Sequence, residues 1–261
     1  MKCKDVIQYL EKLAPKFYAE GWDNVGLLCG REDKEVDKIL LALDPTGEVI
    51  NQASEWEADM LITHHPLIFS GMKSITTGDF IGKRVYQLIQ QDISYYAMHT
   101  NFDVMGMADA VADQLKLEKC RVLDVTFQDE IAMEGIGRIG SLPCTMTLAE
   151  TADYVKQHCR LSSVRVFGDF TKPIKKAALI PGSGKSYIRK AAELNVDVVI
   201  TGDIGHHDGL DALEQGISVI DAGHYGLEKV FSSYMKEALL RELPGMEIRL
   251  AKETEPFQII C

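Results

Sequence analysis

Six of the seven histidines stand just beyond apolar runs that read as buried strands. His64 and His65 follow ADMLIT, His99 follows ISYYAM, His206 and His207 follow VDVVITGDIG, and His224 follows ISVIDAG. In open α/β sheets the carboxyl ends of the strands are where ligands bind and reactive groups are presented. Carboxylates accompany the histidines: Asp103 lies four residues after His99, and Glu228 four after His224. Imidazole nitrogens mixed with carboxylate oxygens make the donor set of a divalent-metal site.

Each signal has a plainer reading beside it. His64 and His65 cannot point the same way in a regular strand, because successive side chains alternate faces. Pro66 ends the regular backbone, so the two rings can splay toward two neighbouring ions; equally, one can be a buried, hydrogen-bonded histidine and the other a solvated one. His224 and Glu228 share a face if a helix starts near His224, and the alternative is a solvated helix surface. Asp103 reads as a hard oxygen ligand or as the N-cap of the helix that follows. His99 and His207 are candidates for proton transfer or substrate orientation, and His99 can equally orient a carboxylate or water from behind.

Three other features carry less. PGSGKS (181–186) is rich in glycine but has Leu179 where the phosphate-loop pattern requires glycine; it reads as a glycine turn feeding a helix N-terminus, which can bind anions. His158 and Cys159 adjoin in a helical pattern, where adjacent side chains do not face each other. No G-x-S-x-G elbow is present to support acyl transfer.

The elements that must position these residues alternate. KILLALD is a strand, GEVINQASEW a helix, ADMLITHHP a strand, DFIGKRVYQLIQQ a helix, ISYYAMHTNFD a strand and MADAVADQLKLE a helix, after an opening helix and the loop AEGWDNVGLLCG. KKAALIPG, VDVVITGDIGHH and ISVIDAGHYG repeat the scheme as strands, separated by KSYIRKAAELN and DGLDALEQG and followed by the long helix LEKVFSSYMKEALLREL. The pattern predicts an α/β protein of two similar lobes, 1–121 and 122–261, with mostly parallel sheets facing a shared metal cleft. The first lobe carries His64, His65 and Asp103; the second carries His224 and Glu228. Residues of roughly 122–170 are β-like with turn residues and read as strands extending the second lobe.

The 261 residues, 46% hydrophobic and 26% charged, suit a globular chain. A net charge of −11 argues against a broad nucleic-acid footprint. No apolar stretch reaches the roughly 18 residues of a membrane span. MKCKDVIQYLEKLAP lacks the apolar core and cleavage site of a secretory signal, so the expected location is cytoplasmic. The six cysteines form no C-x-x-C pair and read as reduced and scattered.

The motifs WDNVGLL (22–28), ITHHP (62–66), HTNFD (99–103), ITGD (200–203) and DAGHYGLE (221–228) give the chain a resemblance from end to end. It resembles the GTP cyclohydrolase type 2-like proteins, also called the NGG-interacting-factor-three-like family, in the form without an inserted middle domain. The resemblance implies a dinuclear centre. His64, Asp103 and Glu228 would hold one ion and His65, His224 and Glu228 the other, with Glu228 bridging. It also implies a toroidal homohexamer. Together these point to a metal-dependent hydrolase of a nucleotide or related phosphorylated small molecule, GTP ring opening being one member of that class. The alternative is a non-catalytic metal-binding scaffold, metal chaperone or regulatory protein. His and carboxylate ligands suit Zn, Mn, Fe and Ni alike.

Overall fold

The apolar runs ahead of the histidines fold as short strands buried along their whole length: Met60–Thr63, Val198–Gly202 and Ser218–Asp221. Continuous burial is what strands covered on both faces require, and it explains why these segments read as apolar runs without alternation. The computed structural model describes residues 1–260 and is a mixed α/β protein with two sheets.

In chain order the first elements are α1 (Cys3–Leu13), β1 (Gly26–Cys29), β2 (Lys38–Ala42), α2 (Gly47–Glu55), β3 (Met60–Thr63), α3 (Phe80–Gln90) and β4 (Ser94–Ala97). A single turn, α4 (Thr100–Phe102), leads through a π-helical turn, Asp103–Met107, into α5 (Ala108–Gln114). Then come β5 (Glu118–Gln128), β6 (Met133–Thr147), α6 (Leu148–His158), β7 (Arg165–Phe167), β8 (Pro173–Ser183) and α7 (Ile188–Glu193). The chain ends with β9 (Val198–Gly202), α8 (His206–Glu214), β10 (Ser218–Asp221), α9 (His224–Glu228), α10 (Val230–Glu242) and β11 (Glu247–Leu250).

Two compact units divide the chain. One holds Met1–Phe102 and Phe231–Thr254 and contains a sheet ordered β1-β4-β3-β2-β11. Its strands β4, β3, β2 and β11 run parallel, and β1 pairs antiparallel with β4. Helices α2 and α3 start at side-chain caps, Thr46 accepting from the Val49 N–H and Asp79 from the Gly82 N–H. In α10 the fully buried Phe231, Met235 and Leu239 form a stripe at i, i+4 spacing, which fixes the face this helix turns inward.

The other unit holds Asp103–Val230 and Glu255–Cys261, with a sheet ordered β5-β6-β8-β9-β10-β7. Here only β8, β9 and β10 are parallel; β5, β6 and β7 pair antiparallel, so this sheet is mixed rather than mostly parallel. The extra strands are the β-like segment of the middle of the chain, extending the sheet at both edges.

The division departs from a cut at 121/122. Residues 103–121 lie in the second unit because β5 is the edge strand of its sheet, and 231–254 return to the first because β11 pairs with β2. β11 has only Ile248 buried, so its pattern carries almost no apolar signal. β1 likewise stands where the sequence reads as a loop; its Gly26 and Gly30 flank a single pairing edge. No helix among the described residues is long and apolar enough to cross a membrane.

Candidate metal centre

In the first unit the exits of β3 and β4 bring three histidines together. The ligand atoms of His64, His65 and His99 lie within 4.8 Å of one another. The HHP turn is pinned from beneath by Tyr95: the Thr63 and Tyr95 hydroxyls both donate to the His65 carbonyl, and the Tyr95 oxygen accepts from the Leu67 N–H. Burial pushes the Tyr95 phenol well up, so it remains a neutral donor.

Each ring is oriented through Nδ1. His64 Nδ1 lies 2.7 Å from the Met98 carbonyl, His65 Nδ1 2.7 Å from Asp44 Oδ1, and His99 Nδ1 2.9 Å from Asp23 Oδ1. These oxygens only accept, so each Nδ1 donates and the lone pair of the neutral ring sits on Nε2. Carbonyl or carboxylate behind imidazole is the arrangement that prepares histidine for a metal ion. His64 is fully buried, which a solvated surface histidine would not be.

The supporting carboxylates are themselves held. Glu253 accepts from the Leu43 and Asp44 N–H groups at 2.8 and 2.9 Å, fixing the loop that carries Asp44. Burial pushes the Glu253 carboxyl up, with the two backbone N–H groups acting against it. Burial also raises the Asp23 carboxyl, but hydrogen bonds from His99 and Thr100 outweigh it and leave the group at about 2. Asp23 is therefore ionised at neutral pH.

In the second unit His224 opens α9 and Glu228 ends it, so the expected i, i+4 pairing holds, with His224 Nε2 2.9 Å from Glu228 Oε2. Asp203 Oδ2 takes His224 Nδ1 at 2.8 Å. One imidazole between two carboxylates is a place that favours positive charge, a proton or a metal ion. The ligand oxygens of Asp103 and Glu228 lie within 4.8 Å of each other. Asp103 begins the π-helical turn, and the residue before α5 is Met107, so Asp103 is not that helix's N-cap. Widened turns of this kind recur at functional sites.

Glycines make room for these groups. A Cβ on Gly182, where φ is +72°, would stand 2.5 Å from Glu228 Oε1. One on Gly184 would stand 2.4 Å from Thr201 Oγ1, and the Gly184 N–H already donates to that oxygen at 2.9 Å. The glycines of PGSGKS are thus accounted for by the approach of Glu228 and Thr201, not by an anion. Gly202 lets the backbone of His224 pass, where a Cβ would come within 2.5 Å of its nitrogen. Asp203 takes φ +58°, a conformation short polar residues tolerate.

His207 is placed elsewhere. It lies with His206 in the exposed first turn of α8, and among the described residues neither belongs to a group able to hold a metal. The sequence likeness between the two HH pairs does not extend to their surroundings. His158 stacks on Tyr154 and bonds its carbonyl, while burial pushes the Cys159 thiol up to about 11, which leaves no reactive thiol–imidazole pair.

Asp23, Asp44 and Asp203 escape a search for ligands. Each sits in a run the sequence displays, WDN, ALD or TGD, yet each acts through a histidine distant in the chain. The available signal is position: Asp44 and Asp203 end strand runs, as the histidines do.

The described residues thus include groups of His, Asp and Glu able to hold a metal ion. A family model described as Duf34/NIF3 (NGG1p interacting factor 3) matches residues 1–256. A Clostridium perfringens protein named GTP cyclohydrolase 1 type 2 homolog is 37% identical over 264 residues, covering 100% of both chains. A Staphylococcus epidermidis protein of the same name is 31% identical, covering 99% of this chain and 100% of its own. That alignment runs over 366 positions, so this relative carries sequence the 261-residue chain lacks. The crystal structure of a Bacillus cereus protein related to NIF3 superposes with a TM-score of 0.91 at 25% identity, covering 100% of this chain and 99% of that one.

Proposed function

The chain belongs to the Duf34/NIF3 family, and from that premise we propose that it binds two divalent metal ions and hydrolyses a nucleotide or related phosphorylated small molecule. The observation that carries the reading is the common state of four histidines. His64, His65, His99 and His224 each commit Nδ1 to an oxygen acceptor, which prepares Nε2 to donate its lone pair.

In this proposal His64, Asp103 and Glu228 hold one ion and His65, His224 and Glu228 the other. Glu228 would serve both, and its buried carboxylate, 3% exposed, would find in them a counter-charge in place of the hydration that burial removes. Such ions supply Lewis-acid activation of a phosphoester or ring carbon and of the attacking water. Asp44 and Asp203 keep His65 and His224 in the donating tautomer. His99, backed by ionised Asp23, would take and return a proton at Nε2 or orient the substrate. Zn, Mn, Fe and Ni all suit the donor set. The relatives' name, GTP cyclohydrolase 1 type 2 homolog, makes GTP one candidate substrate.

We place the protein in the cytoplasm as a closed homohexamer. The described cysteines Cys3, Cys29, Cys120, Cys144 and Cys159 are free thiols, which fits a reducing compartment. Light scattering would give a mass several times the 29.1 kDa chain; a monomer would refute the assembly.

The decisive experiment pairs elemental analysis with a panel of nucleoside phosphates. About two ions per chain and turnover that requires them are expected, with His65→Ala abolishing turnover while circular dichroism stays unchanged. Full metal with no turnover on the panel would assign a scaffold, chaperone or regulatory role instead. Absence of metal after reconstitution with Zn, Mn and Fe would sink the reading.

A further inference from the structure

Trp22 and Phe69 are 59% and 52% exposed, large apolar rings left in water beside the three-histidine group. Their centroids are 5.7 Å apart, and they stand 6.0 and 6.5 Å from the His99 ring, which each meets edge-on. They are held there. Asp23 accepts from His99 Nδ1, from the Thr100 N–H at 3.0 Å and from the Thr100 hydroxyl at 2.5 Å. The Glu20 N–H donates to that hydroxyl at 2.9 Å, closing the loop that carries Trp22 onto the exit of β4. On the other side Asn24 Nδ2 donates to the carbonyl of Ile68, the residue before Phe69, at 2.5 Å.

The WDN triplet therefore has three distinct tasks: Trp22 offers a ring, Asp23 fixes His99, and Asn24 fixes the strand of chain bearing Phe69. Neither ring is buried in the core, so the fold draws little from their apolar area, yet hydrogen bonds tie both supporting loops in place. Fixed, exposed aromatic faces beside a polar group are what a stacking platform needs, since every planar base presents a π-face. Phe69 also lines a cleft of about 420 Å³ with Met72, Lys73 and Ser74.

We propose that Trp22 and Phe69 form the binding platform for a planar heteroaromatic ring of purine size, seated beside His99. The fate of that ring rests on the hydrolase reading above, but its binding is measured separately.

The chain has two tryptophans, and the other, Trp56, packs under the Arg249 guanidinium at 4.5 Å. Trp56→Phe leaves Trp22 as the sole indole reporter. Guanosine and guanosine monophosphate should quench its emission saturably, and ribose 5-phosphate should not. Phe69→Ala should weaken guanosine monophosphate binding about tenfold with metal content unchanged, and Phe69→Tyr should restore it. The proposal is overturned if the ring-bearing probes fail to quench, if ribose 5-phosphate quenches equally, or if Phe69→Ala leaves affinity unchanged. It is also overturned if Trp22 emission responds only to dilution, which would mean the rings cover a second copy of the chain. Quenching by metal-free protein would uphold the platform while the metal reading is judged by elemental analysis alone.

Discussion

In the unit built on β1–β4 and β11, the carboxylate beyond β2 holds the histidine beyond β3; in the other unit, the carboxylate beyond β9 holds the histidine beyond β10. Asp44–His65 and Asp203–His224 are the same device: two adjacent parallel strands ending side by side, one presenting an acceptor and the next a ring that needs one. What surrounds the device differs. The first unit adds two more imidazoles, one of them backed by the ionised Asp23, and a rim of aromatic rings. The second adds Asp103 and Glu228, with glycines cut away around the carboxylate. The candidate ligands of the first unit are thus all imidazoles, and those of the second include both carboxylates, Asp103 and Glu228, beside His224. Glu228 makes the second set electrostatically demanding, because a buried carboxylate is costly without a cation near it.

The largest expected effect tests that division of charge. Glu228→Gln should lower occupancy of both ions, whereas Asp103→Asn should leave one largely filled; elemental analysis of both variants reads it directly. Equal, minor losses would rule out the bridging role proposed for Glu228 and with it the contrast between the units.

The shared device comes next. Asp44→Ala and Asp203→Ala should each weaken metal affinity about 10–100-fold, measured by competition with a chromophoric chelator. A large loss in one and none in the other would show that the two pairs look alike without acting alike.

Smaller is the effect of the space around Glu228. Gly182→Ala and Gly216→Ala place a Cβ on backbones of nearly equal φ, +72° and +75°, but only Gly182 has Glu228 in the way. Gly216→Ala should cost about 1 kcal/mol from backbone strain alone, and Gly182→Ala about 2–3 kcal/mol together with metal loss. Urea denaturation and elemental analysis separate the two terms; matching behaviour would mean the carboxylate moves aside freely.

The smallest is His207→Ala, predicted to leave metal content and turnover unchanged and stability within about 0.5 kcal/mol. A clear loss of turnover would bring the start of α8 back into the chemistry.

Much of this was legible in residue order. Burial on both faces imposes apolar runs on β2, β3, β9 and β10, and a run followed by histidine or carboxylate marks a strand exit, so the α/β class and the candidate ligands His64, His65, Asp103, His224 and Glu228 could be read without coordinates. The i, i+4 spacing of His224 and Glu228 likewise needs only a helix to become a pair. Three things required the fold. ADMLITHH and VDVVITGDIGHH look equivalent, but the Asp–His pairs match β2–β3 with β9–β10, one strand out of that alignment; apolar runs record burial, which all central strands share, and not their place in a sheet. Asp23 reaches His99 across 76 positions, and hydrogen bonds between loops leave no periodic trace. Finally, the return of 231–254 to the first unit depends on β11 finding the open edge of β2, and edge pairing is made by backbone groups that every residue carries, so tertiary structure alone decides it.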